Sequence, residues 1–302
     1  MTEKIKFIFE QNISLLQQLD RAVCYFRKQQ HDLALGIVAD SMDLINNSIE
    51  AIITDSEYFN LVSTDSVLGM LSSILDSYKR KDYILLADLL EIKLISFINK
   101  VQEHIIGKEE IAFDKDRYQE NLNWLIKHSV GIDRLIDYPM DPQLLLKEGY
   151  RVEFSFGGLM TLVAENNNSQ FYFHTNGRIT FEALMLAKHW YKKEASRYIL
   201  YGLGFGYHIR ELLAISPRSN ITVYESDLNV IMLACAFANI KDIFASGRVD
   251  LIYDPDYIWL GERLRNLSKK ESFCVHYPSF QNIRNDMGIK LTESYVSWSK
   301  NI

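Results

Sequence analysis

Three glycines at alternate positions constrain this chain more than any other feature. Gly202, Gly204 and Gly206 follow an apolar run from Tyr198 to Leu200 and lead into a segment with Ile209, Leu212 and Leu213 on one side. The order is strand, glycine turn, helix. Glycine allows the backbone to turn tightly and to approach another group closely, because no Cβ blocks either. The helix start behind such a turn offers free N–H groups and a positive dipole end. Asn220–Tyr224 reads as a second strand ending at Glu225, and Arg248–Tyr253 as a third ending at Asp254. A fourth, Ser272–His276, runs into Tyr277-Pro278-Ser279. Apolar strands alternating with helices predict a parallel α/β unit, with ligands at the carboxyl ends of its strands.

The candidate binding residues therefore collect at one edge: Gly202, Gly204, Gly206, Tyr207, His208, Glu225 and Asp254. Glu225 stands where a carboxylate accepts hydrogen bonds from ribose hydroxyls. Asp254 stands where one meets a base amino group, or caps the helix that begins at Pro255. His208 is read as a donor, an acid/base group or a residue shaping the turn. His276 faces the ligand edge or belongs to the core, while His174 and Tyr172 are expected to be structural. A dinucleotide fingerprint would place glycine where Tyr207 stands, and a phosphate-binding loop would end in Gly-Lys-Ser/Thr. The G-x-G-x-G spacing is instead that of S-adenosylmethionine (SAM) methyltransferases. Their common acidic residue two positions before the first glycine is here Leu200. No nucleophile–base–orienter set is present, so no catalytic residue is assigned.

Glycine and proline divide the chain. Residues 1–130 contain only Gly36, Gly69 and Gly107 and no proline, which predicts an all-α helical bundle. Ile5, Ile8, Leu15, Leu16, Leu19, Val23 and Phe26 mark one face of a long first helix. Further helices are expected over 32–53, 65–78, 82–106 and 116–127. The fourth is apolar nearly all round, with a polar stripe through Asp88, Glu91, Asn99 and Glu103. A linker over 131–149 precedes alternating segments at 152–156, 159–164 and 170–174, a small β-meander with turns at Gly157-Gly158 and 165–169. A helix over 179–192 then feeds the parallel strands, and the tail from Pro278 reads as helical. The expected architecture is α/β: a helical bundle (1–130), then the β-meander with a SAM-methyltransferase-like Rossmann domain (131–302).

Net charge is −6, all of it on residues 1–130, which carry 14 Lys/Arg against 20 Asp/Glu. Neither half has the basic excess of a nucleic-acid binder, and the acidic bundle suggests a protein partner. Cys24, Cys235 and Cys274 stand singly without metal-ligand spacing, so reduced buried thiols and a cytoplasmic location are expected. No stretch predicts a membrane span or a signal peptide.

The run Tyr-Gly-Leu-Gly-Phe-Gly-Tyr-His-Ile-Arg-Glu-Leu-Leu (201–213), with Val-Tyr-Glu-Ser-Asp-Leu-Asn-Val (223–230) and Arg-Val-Asp-Leu-Ile-Tyr-Asp (248–254), resembles the N-terminal region of the motility accessory factor (Maf) family. Tyr172-Phe173-His174-Thr175 and His276-Tyr277-Pro278-Ser279-Phe280 fit the same pattern. The resemblance covers roughly 145–302. It implies an association with flagellin glycosylation, in which nonulosonic acids move from a CMP-activated donor, and hence a nucleotide or nucleotide-sugar ligand. In that family the transfer chemistry is attributed to a following domain. The resemblance therefore gives this chain no catalytic residues, and a glycosyltransferase or flagellin becomes the implied partner. SAM-dependent methyl transfer and a non-catalytic interaction scaffold are the alternatives, so the cofactor is SAM or a CMP-type nucleotide.

Overall fold

The computed structural model describes residues 2–55, 57–59, 63–109, 114–137, 141–145, 149–166 and 169–281. The expected turn at Asn167–Asn168 and the tail beyond residue 281 lie outside them. The chain forms two compact units. One comprises Met1–Ile111 with Phe154–Leu159 and Gly177–Phe181; the other comprises Ala112–Glu153, Met160–Asn176 and Glu182–Ile302.

The first unit is helical: α1 (Glu3–Arg27), α2 (His31–Asp40), α3 (Met42–Thr54), α4 (Thr64–Lys79), α5 (Tyr83–Asp88), a π-helical stretch (Leu89–Ile95) and α6 (Ser96–Lys108). Thr2 caps α1 by accepting from the Ile5 amide at 3.4 Å. The expected face of α1 is buried, packed in one core with Leu86, Leu90, Leu94 and Ile98. Each such aliphatic side chain contributes about 1.5–3 kcal/mol on burial. The second expected helix is broken at Ser41. Its hydroxyl donates to the Ile37 carbonyl at 2.7 Å and to Gln18 Oε1 at 2.5 Å. Such back-bonding to the preceding turn competes with the helical ladder.

Several buried polar groups in this unit are paired. Asn12 donates to Gln102 Oε1 at 3.1 Å and accepts from the Ser48 hydroxyl. Asp20 is buried and accepts from both Arg178 and Thr180. Arg178 also reaches Glu91 at 2.6 Å, and Arg27 reaches Glu91 at 3.0 Å and Asp88 at 2.5 Å. The polar stripe read from the sequence is thus partly a row of counter-ions. Burial works against the Glu91 charge, but the hydrogen bonds from Arg178 and Arg27 outweigh it and hold the carboxyl below its ordinary range.

The second unit runs α7 (Lys115–Lys127), β1 (Ser129–Val130), α8 (Asp133–Asp137), α9 (Pro142–Leu145), β2 (Tyr150–Phe154), β3 (Met160–Asn166), β4 (Ser169–Tyr172), α10 (Ile179–Trp190), β5 (Arg197–Tyr201), α11 (Tyr207–Ile215), β6 (Asn220–Glu225), α12 (Leu228–Phe237), α13 (Lys241–Ala245), β7 (Val249–Tyr253), α14 (Ile258–Arg265), β8 (Glu271–Val275) and α15 (Tyr277–Gln281). Strands β2-β3-β4 form one small sheet, antiparallel where β3 meets β4. The other sheet has the order β1-β7-β6-β5-β8, and every pair in it is parallel. In β5, Tyr198 to Tyr201 are all buried, as expected of a parallel strand covered on both faces. Its register puts Leu200 opposite Val223 on one side and Cys274 on the other.

Helix α7, expected as the last helix of the bundle, belongs to this second unit. Asn121 is the reason: its amide donates to the carbonyls of Cys235 at 2.8 Å and Ala238 at 2.7 Å, and its Oδ1 accepts from the Lys241 amide at 3.0 Å. One buried side chain therefore satisfies backbone groups that the end of α12 leaves open. Asn121→Ala is expected to cost about 2–3 kcal/mol, since it strands buried carbonyls and an amide. Urea denaturation measures it, and a loss under 1 kcal/mol would refute this role. The 131–149 linker contains two short helices, α8 and α9. The three cysteines are buried, and none is joined in a disulfide. Among the described residues no helix is long and apolar enough to cross a membrane.

Candidate functional site

Strand order reverses at β5: the chain moves outward through β6 and β7, then returns to place β8 on the other flank. In parallel sheets such a reversal opens a crevice at the carboxyl edge. The glycine turn sits there. The Gly202 amide donates to the Tyr224 carbonyl at 2.8 Å, closing the end of β5. Gly202, Gly204 and Gly206 have φ of +100°, +48° and +78°. Gly206 is the N-cap of α11 and lies against Ile243. A Cβ on Gly202 would stand 2.5 Å from Ser279 Cβ and 2.9 Å from His276 Cβ. One on Gly204 would stand 2.8 Å from His174 Nε2. The turn needs glycine for both reasons, backbone shape and close approach.

Glu225 ends β6 and tethers the turn. Its Oε2 accepts from the Leu203 amide at 2.9 Å, and its Oε1 from the amides of Ser226 at 2.8 Å and Asp227 at 3.1 Å. A carboxylate has about four acceptor sites. Three are used by backbone, leaving roughly one for anything else. Burial pushes the Glu225 carboxyl up to about 7, against the lowering effect of the Leu203 amide. Asp254, at the end of β7, spends its two oxygens on the amides of Ile258 at 3.0 Å and Leu260 at 2.8 Å, holding the first turn of α14. Burial raises its pKa. Beside them the hydroxyls of Tyr201, Ser226 and Tyr257 form a triangle with sides of 2.8, 2.9 and 3.0 Å.

Tyr207 is buried and donates its hydroxyl to the Met160 carbonyl at 2.8 Å; burial pushes its pKa up. His208 is fully buried, with Nε2 at 3.1 Å from the Gly202 carbonyl. Burial, then the neighbouring His174, lowers its pKa to about 3. His276 follows β8. Its amide donates to the Tyr201 carbonyl at 2.8 Å, and its Nδ1 lies 2.7 Å from Ser279 Oγ. Burial also takes its imidazole well below the usual histidine value. His174 follows β4, its backbone clasped by Thr161, whose hydroxyl donates to the His174 carbonyl at 2.6 Å. The Phe205 amide donates to its Nε2 at 3.1 Å, and its Nδ1 lies 3.7 Å from Glu182 Oε1.

These three histidines form one cluster. The rings of His208 and His276 stack at 4.2 Å and 5°; His174 lies 4.9 Å from His276 and 5.6 Å from His208. Trp190 stands edge-on to His208 and Tyr207 edge-on to His174. The sequence reading singled out each histidine separately. Nothing in their spacing joins them, because they come from three elements brought together by sheet topology. No family model, curated protein or solved structure matches this chain. The site's chemistry therefore rests on its geometry.

Proposed function

We propose that the second unit is a Rossmann-like, methyltransferase-like module that binds a nucleotide or nucleotide sugar, in a Maf-related setting of flagellin or protein glycosylation. One observation carries this reading: left-handed glycines join β5 to α11 where strand order reverses, and a carboxylate from the end of β6 anchors them. With about one acceptor site left, Glu225 supports a single hydrogen bond to a ribose better than a bidentate grip. CMP and SAM present the same ribose diol to it, so the binding measurement below is what distinguishes them. In this reading the acidic helical unit docks the partner, a glycosyltransferase or flagellin. Three buried thiols outside any disulfide fit a reducing, cytoplasmic compartment. The scaffold reading has its own support, because His174, His276 and Ser279 crowd the glycine turn.

Titration calorimetry of the intact protein with SAM, S-adenosylhomocysteine, CMP and CDP separates the readings. Binding of CMP or CDP is expected, weakened about 10-fold or more by Glu225→Gln, the worth of a lost hydrogen bond to a charged group. SAM binding alone would turn the assignment to methyl transfer. No binding by any of the four would leave the scaffold.

A further inference from the structure

We propose that His174, His208 and His276 bind one borderline divalent transition-metal ion of the zinc class. One ring nitrogen from each lies within 4.8 Å of the others, and all three residues are at most 1% exposed.

A neutral imidazole carries one donor and one acceptor, and leaving either unused inside a protein is costly. Yet His174 Nδ1, His208 Nδ1 and His276 Nε2 have no hydrogen-bond partner among the described residues. His208 Nδ1 and His276 Nε2, orphaned together in one fully buried cluster, call for a missing partner. The other nitrogens show which kind. With N–H on His208 Nε2, facing the Gly202 carbonyl, and on His276 Nδ1, facing Ser279 Oγ, the lone pairs lie on His208 Nδ1 and His276 Nε2. Metal-binding histidines are held in this way, the far N–H fixed by a carbonyl, hydroxyl or carboxylate. His174 has Glu182 as the corresponding carboxylate, 3.7 Å from Nδ1. Its Nε2 supplies the third lone pair by giving up the hydrogen bond it accepts from the Phe205 amide.

Three imidazoles without a carboxylate select zinc, cobalt, nickel or copper over magnesium and calcium, which demand oxygen. Three protein nitrogens also leave a fourth position open, the pattern of zinc sites that hold water or a substrate atom. Bonds of about 2.0–2.1 Å require the nitrogens to draw together by ring rotation. The proposal does not depend on nucleotide binding.

The test uses the intact, untagged protein, stripped with chelator, loaded with Zn²⁺ or Co²⁺ and dialysed. Elemental analysis is expected to find one equivalent per chain, and the Co²⁺ form to show the visible bands of a low-coordinate nitrogen site. His208→Gln and His276→Gln should each weaken Zn²⁺ binding on the order of 100-fold, at least the effect of disturbing an outer partner, while exposed His189→Gln changes nothing. Thermal melting of the chelator-treated forms identifies any variant that fails to fold, and the Co²⁺ spectrum of the unmutated protein is read without variants. Absence of a stoichiometric ion and of the Co²⁺ bands would overturn the proposal. So would equal affinity in folded His208→Gln and His276→Gln proteins.

Discussion

Gly202→Ala is expected to destabilise the second unit by roughly 3–5 kcal/mol, combining the cost of a left-handed backbone with that of overpacking. At φ +100° the backbone lies beyond even the small region that asparagine tolerates. The new methyl would meet Ser279 Cβ at 2.5 Å, Ser279 Oγ at 2.6 Å and His276 Cβ at 2.9 Å. Two of these three are Cβ atoms, which move only with their backbone. The His276 amide is fixed to the Tyr201 carbonyl, so β8 would have to shift against β5. For a unit of this size each kcal/mol lowers the melting temperature by about 2–4 °C, so a fall of about 10 °C is expected. Gly36→Ala is the internal control. Gly36 lies in α2 with nothing within 4 Å of its Cβ position. There alanine should stabilise by about 0.5–1 kcal/mol through helix propensity alone. If the two variants melt alike, the tight contact at Gly202 is wrong.

Arg178→Ala is expected to cost about 3–5 kcal/mol at pH 7, the penalty of leaving a buried charge without its partner. Asp20 would keep the Thr180 hydroxyl and lose its cation. Burial already raises the Asp20 pKa despite the opposing effect of Arg178, so removing the arginine raises it further. The sign follows from linkage. An acid whose pKa is higher in the folded state binds more protons there than in the unfolded chain. Its contribution is complete below the unfolded value and declines as pH rises towards the folded value. The loss in Arg178→Ala should therefore be smaller at pH 5 than at pH 7. Asp20→Asn in the same background should recover much of it. Guanidinium denaturation at the two pH values measures this, and a loss independent of pH would contradict the burial argument.

Local pattern made much of this fold legible. The face of α1 follows directly from Ile5, Ile8, Leu15, Leu16 and Leu19, because helical periodicity is a short-range signal. The four principal parallel strands and the glycine turn were readable for the same reason. Three features were not. Ser41 bonds back to Ile37 and also reaches Gln18, a partner outside its own segment, where the helix breaks. Asn121 joins α7 to the sheet unit through carbonyls of α12, so a boundary placed by proline and glycine content missed it. The histidine cluster gathers residues from after β4, from α11 and from after β8. Glu225 and Asp254 were visible as strand-end carboxylates, yet their use as backbone acceptors depends on where neighbouring amides point, which side-chain order does not encode.

The discontinuity of the helical unit matters for anyone dissecting this protein with scissors. Its salt-linked heart takes Asp20 and Glu91 from the opening stretch and Arg178 from far downstream. A fragment ending near residue 111 would carry an orphan anion, and Phe9 would lack the edge-on ring of Phe154. Replacing either stretch without the other would split the same ion pair.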